Sequence, residues 1–109
     1  MGRVVAAKKA QDVVALDMSA AVTYTDYFLI CSGTSTRQTR ALAEELQRQM
    51  RERKVRPARV EGERDAEWIL LDYLDVVVHI FTPAARDFYR LEALWRDVPR
   101  QELPGEALA

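Results

Sequence analysis

Apolar and polar residues alternate most clearly between Glu67 and Phe81. Trp68-Ile69-Leu70-Leu71 and Val76-Val77-Val78-His79-Ile80-Phe81 are aliphatic, β-branched and aromatic runs, which strands favour. They predict two strands joined by a tight turn centred on Tyr73-Leu74. That register sets Asp72 opposite Asp75, Leu71 opposite Val76, Leu70 opposite Val77, Ile69 opposite Val78 and Trp68 opposite His79. Side chains alternate faces along a strand. One face therefore carries Ile69, Leu71, Val76, Val78 and Ile80, all aliphatic, and is expected in a core. The other carries Trp68, Leu70, Asp72, Asp75, Val77 and His79. Its mixture of a large aromatic, a histidine and two acids makes it the candidate contact surface.

The rest of the chain supplies the elements around this hairpin. Val4 to Ala10 is rich in alanine and lysine and reads as a helix end or a frayed terminus. Asp12 to Asp17 and Tyr27 to Ser32 read as two strands, paired antiparallel because the link between them is short. After the glycine exit at Gly33, Ser35 and Gln38 have the spacing of a capping box. The helix they start is predicted to run to about Lys54, with Thr39, Leu42, Ala43, Leu46 and Met50 on its apolar stripe. Ala58 to Val60 is a short strand, and the strand–helix–strand order from Phe28 to Val60 suggests a parallel crossover. Thr82-Pro83 opens a last helix, proline being favoured at its first position. Its stripe is Phe88, Leu91 and Trp95, and Pro99 closes it. Residues 99–109 lack periodicity and predict a mobile tail on a core of residues 10–98. The expected architecture is a single α/β domain, a mixed sheet of about five strands with helices mainly on one face.

Composition narrows the function. The 109 residues fit one domain, and 49% of them are hydrophobic, enough for a core. A formal net charge of -1 argues against general nucleic-acid binding, DNA included. The single cysteine, Cys31, excludes an internal disulfide and fits a reducing compartment. No apolar run reaches the roughly 20 residues of a membrane span, and no signal-peptide pattern is present. A cytoplasmic protein is expected.

Few residues suggest chemistry. Gly33-Thr34-Ser35 between a strand and a helix start, with Arg37 nearby, could hold an anion on backbone N–H groups. It resembles the Gly-Ser turn of nucleotidyltransferases. Those enzymes need an Asp-x-Asp pair about ten residues later to hold metal; here that window, Leu42 to Leu46, is helical by pattern. Helix capping is the simpler role for Ser35. His79 is the only histidine and has no cysteine or second histidine to complete a metal set. A triad of Ser32 or Ser35 with His79 can be written, but triads are defined by geometry. Neither catalytic residues nor a cofactor is expected.

Several pieces in one order resemble the ribosomal silencing factor family, also called Iojap-like. They are Thr25-Asp26-Tyr27-Phe28-Leu29-Ile30, Ser32-Gly33-Thr34-Ser35 with Arg37-Gln38, Glu61-Gly62, Trp68 to Tyr73, Asp75 to Phe81, then Arg86, Tyr89, Leu91-Glu92 and Leu94-Trp95. The resemblance covers about Ala10 to Trp95. It implies a nucleotidyltransferase-like fold without the enzyme's carboxylates. It also implies binding to the large ribosomal subunit through its fourteenth protein, which blocks joining of the small subunit by volume. On this reading Trp68, Leu70, Asp72, Tyr73, Asp75 and His79 meet the partner, with ribosomal RNA as a minor additional contact. The chain is expected to be a monomer or weak homodimer. The rival reading is a nucleotide-binding or nucleotidyltransferase-type enzyme using Gly33 to Ser35. The chain departs from the family in having Leu74 where glycine is usual, and in the shortness of the segment before its first strand.

Overall fold

A computed structural model of the protein describes residues 10–103. The Val4–Ala10 segment, apart from Ala10, and the end of the expected tail lie outside them. Six strands form one mixed sheet: β1 (Gln11–Asp17), β2 (Tyr27–Ser32), β3 (Arg59–Glu61), β4 (Trp68–Asp72), β5 (Val76–Phe81) and β6 (Arg100–Leu103). Their order across the sheet is β3-β4-β5-β2-β1-β6. Among the described residues only β2 and β5 pair in parallel. These central strands are buried over almost their whole length, as their near-continuous apolar sequences require.

One long helix, α1 (Thr36–Glu52), packs on one face. The Ser35 side chain accepts from the Gln38 N–H and caps it, while the Gln38 side chain returns to Thr34 rather than to Ser35. Thr39, Leu42, Ala43, Leu46 and Met50 are all buried, as the stripe predicts. Leu42, Ala43, Leu46 and Met50 form one core layer with Leu29, Cys31, Ile69, Leu71, Val78 and Ile80.

The opposite face is less open than the sequence suggests. The expected single last helix is broken into α2 (Pro83–Tyr89) and α3 (Leu91–Leu94) by Arg90, in the left-handed conformation at φ 50°. Phe88 therefore leaves the stripe and points out, 79% exposed, while Leu91 and Trp95 pack inward. Their layer contains Val14, Leu16, Met18, Phe28, Ile30, Val77 and Phe81. The Arg86 guanidinium fixes the kink. It donates to Glu92 at 2.7 Å and to Ser32 on β2 at 2.9 Å, and Arg100 on β6 reaches the other oxygen of Glu92 at 3.3 Å.

Three further expectations change. The sheet has six strands rather than five, because Arg100–Leu103 pairs antiparallel with β1 instead of leaving as a tail. A polar edge strand has no hydrophobic period of its own; the unpaired backbone edge of β1 recruits it. The parallel neighbour of β2 is β5, not β3. β3 has three residues and only Val60 half-buried, so it sits at the edge, antiparallel to β4.

The third change is the hairpin register. Trp68 lies opposite Phe81, Leu70 opposite His79 and Asp72 opposite Val77. The shift is two residues, so every side chain keeps its predicted face. Asp72 and Asp75 do not oppose each other. Asp72 accepts from the Leu74 N–H at 2.9 Å, and the Asp75 N–H bonds the Tyr73 carbonyl, a γ-turn-like bond centred on Leu74 at φ 71°. Leu74 is 63% exposed, so Leu74→Gly removes left-handed strain and little packing. Net of glycine's greater freedom when unfolded, the gain should be about 0.5 kcal/mol. Thermal melts should show a rise of a few degrees; a fall would mean that the leucine side chain stabilises the tip.

Candidate functional site

The β4–β5 face away from α1 holds a connected set of rings. Trp68 is half-buried between Phe81 and Tyr89, with ring centroids 5.0 and 4.9 Å away. Its indole N–H donates to His79 Nδ1 at 3.1 Å, across the diagonal of the hairpin. His79 meets Phe28 edge-on at 4.7 Å, and Phe28 meets Trp95 at 6.3 Å. At the rims, Phe88 packs on Tyr89 and Tyr24 on Phe28. Phe88 is 79%, Tyr24 61% and Tyr89 49% exposed. An aromatic path thus runs from solvent, through a buried histidine, back to solvent. Alternation brings Trp68, Leu70, His79 and Phe81 together. Tyr89 and Phe88, at the end of α2, complete the set.

The predicted site residues do not all belong here. Trp68, Leu70 and His79 share the ring face. Asp72 and Asp75 sit at the hairpin tip, where the Asp75 carbonyl accepts from the Asp26 and Tyr27 N–H groups. Tyr73 alternates onto the other face and is buried in the aliphatic layer, its hydroxyl without a hydrogen-bond partner among the described residues. Phe81 is not among the predicted face residues; the observed register sets it opposite Trp68, where it is fully buried beneath the indole.

At the Gly33–Ser35 turn several donors are engaged. The Gly33 N–H bonds the Phe81 carbonyl at 2.8 Å, the Thr34 N–H and hydroxyl both reach the Gln38 side chain, and Ser35 caps α1. Arg37 is exposed. Glu45, in the window where a nucleotidyltransferase would place a metal-holding acid, lies on α1 and bonds Arg48 and Gln49. No group of three or more His, Cys, Asp or Glu is placed to hold a metal among the described residues. Ser32 accepts from Arg86, Ser35 from Gln38, and His79 Nδ1 from Trp68, so the candidate triad members are each bonded elsewhere. Burial pushes the Cys31 thiol up to about 12, which leaves it protonated and unreactive.

Burial also holds His79 down, from 6.5 to about 4, so the folded protein keeps it neutral at pH 7. Its Nε2 has no partner among the described residues. The unfolded chain binds a proton near pH 6.5 that the folded chain refuses. His79 thus lowers stability as pH falls from about 6.5 toward about 4, by up to ~3 kcal/mol. Denaturant titrations of the parent and of His79→Gln across that range should show it. The parent's excess loss should disappear in the variant; parallel pH profiles would refute the assignment.

Comparison with known proteins decides the family. The family model described as "Ribosomal silencing factor during starvation" matches residues 1–108. The chain belongs to the ribosomal silencing factor family. It is 46% identical over 98 residues to the ribosomal silencing factor RsfS of Halalkalibacterium halodurans, covering 90% of this chain and 84% of that one. A solved structure of a Bacillus halodurans protein has a TM-score of 0.81 and 44% identity, covering 92% of this chain and 90% of that one. The mouse "mitochondrial assembly of ribosomal large subunit protein 1" is 34% identical over 91 residues, covering 81% of this chain and 40% of its own length. No helix among the described residues is long and apolar enough to cross a membrane.

Proposed function

We propose that this protein represses translation by seating its Trp68 face on the large ribosomal subunit, through the subunit's fourteenth protein. Its volume then keeps the small subunit from joining. The observation that carries this reading is the half-buried Trp68 in a ring cluster whose rims, Phe88 and Tyr24, stand in solvent. Tryptophan in a partly formed apolar site is the residue type most enriched among binding hot spots, and exposed aromatic patches mark interaction sites. Trp68 and Leu70 form the centre, and the predicted contact His79, being buried, orients the Trp68 indole from beneath rather than touching the partner; Asp72 and Asp75 flank the centre with negative charge suited to a basic ribosomal protein. Tyr73 supports the tip from the core side rather than touching the partner. Family membership and the name of the mouse relative support the large subunit as the partner.

No covalent step is involved. We read the fold as nucleotidyltransferase-like with the metal-holding acids replaced by a helix, acting in the cytoplasm as a monomer or weak homodimer. The test is co-sedimentation with purified large subunits, followed by addition of small subunits. The protein should travel with large subunits and reduce the joined fraction on a gradient. Joining that proceeds unchanged at saturating protein overturns the mechanism. Magnesium-dependent transfer of a labelled nucleotide would favour the rival enzyme reading.

A further inference from the structure

The near-zero net charge conceals a local excess. Residues 51–59 contain Arg51, Arg53, Lys54, Arg56 and Arg59 against a single acid, Glu52, in a chain of formal net charge -1. Glu52 is already paired with Arg48, and Arg59 with Glu61 and Asp72. Arg51, Arg53, Lys54 and Arg56 are all exposed and make no ion pair among the described residues. The segment is also held in shape. The Arg53 and Val55 N–H groups bond the Met50 carbonyl, the Lys54 N–H bonds Arg51, and the Ala58 N–H bonds Asp72 at 2.7 Å. Lys54 takes the left-handed conformation, at φ 62°, that ends α1.

We propose that this turn is a second contact surface, one that binds the phosphate backbone of RNA. Three of its four unpaired cations are arginines, whose planar forks suit phosphate oxygens. A fixed backbone presents the charges together, so little order is lost on binding. The apolar side chains exposed within it are Val55, at 38%, and the single methyl group of Ala58. A protein partner would be expected to find an apolar centre within its polar rim, and this surface offers almost none. On the large subunit the surface adds a salt-sensitive anchor to the apolar one at Trp68; that placement rests on the function proposed above, whereas RNA binding does not.

Two probes test it. The first is protein-free large-subunit RNA, titrated with the full chain and with Arg51→Gln/Arg53→Gln/Lys54→Gln/Arg56→Gln over a range of salt. Each phosphate contact contributes about 0.7–0.9 to the slope of log affinity against log salt. The quadruple variant should therefore lose up to about 3 from the parent's slope, melt close to the parent, and recover binding when the three arginines are lysines instead. Equal slopes for parent and variant, or no binding by the parent at low salt, overturn the proposal. The second probe is intact large subunits. A variant that loses them while binding free RNA like the parent also overturns the proposal, in favour of an acidic protein surface. A parent that binds RNA through these residues but never binds large subunits leaves this surface standing and removes the function proposed above.

Discussion

Trp68→Ala should lower affinity for large ribosomal subunits by ~30-fold or more while leaving a folded but less stable protein. A central interface tryptophan contributes on the order of 2 kcal/mol or more to binding, and each 1.4 kcal/mol is tenfold. The loss of stability has two sources. The ring leaves the stack between Phe81 and Tyr89, and His79 Nδ1 loses its donor in a buried place. A fully buried tryptophan would cost ~3–5 kcal/mol; half-burial reduces the packing part, and the stranded acceptor adds ~1–3 kcal/mol. The sum stays below the stability of most domains of this size.

Binding must be separated from folding. Trp68→Phe keeps a stacking ring without the indole N–H and should retain more of both. Phe88→Ala removes a ring already 79% exposed, so it should melt with the parent yet bind more weakly. The measurement pairs thermal melts with large-subunit capture for all three. Undiminished capture by a folded Trp68→Ala removes the ring face from the interface.

Gly62→Ala should be strongly destabilising. Gly62 has φ +83°, and a Cβ there would stand 1.9 Å from the Trp68 carbonyl oxygen. Its own carbonyl accepts from the Ala66 N–H at 2.9 Å, closing the turn between β3 and β4. The buried Ala66 carbonyl in turn accepts from Thr39 of α1. Left-handed strain and a backbone clash must be relieved together, and the turn cannot move without dragging both β4 and α1. The cost should be ~3 kcal/mol or more. For a domain of this size that is a fall of ~12 °C or more in Tm. Glu63→Ala, next in the chain and exposed, is the control expected to stay within about 2 °C. A Gly62→Ala protein that melts with the parent would show that this connection is soft.

The turn also bears on the proposed docking face, because the clash falls on the Trp68 carbonyl oxygen. Partial unfolding of this connection should release Trp68 before the central strands, so large-subunit capture should decline below the main thermal transition.

What the chain alone determined follows from local periods. Face assignment in the central hairpin came from a two-residue alternation, and it survived a wrong register because the error was itself two residues. The α1 stripe and its Ser35 cap came from the helical period and local hydrogen bonding, as did Thr82 at the start of α2. The family was legible in Trp68 to Phe81 and the pieces around it. Only the tertiary structure decided the rest. The register depended on Leu74 accepting a strained turn that local preference disfavours. Arg100–Leu103 became a strand because β1 offered an unpaired edge, something no pattern within four polar-flanked residues records. The break at Arg90 is held by Arg86 meeting Ser32 from far along the chain, and it turns Leu91 and Trp95 inward while Phe88 and Tyr89 stay at the rim of the Trp68 cluster. Propensity and alternation act over a few neighbours, whereas these features are set by groups brought together only once the sheet has formed.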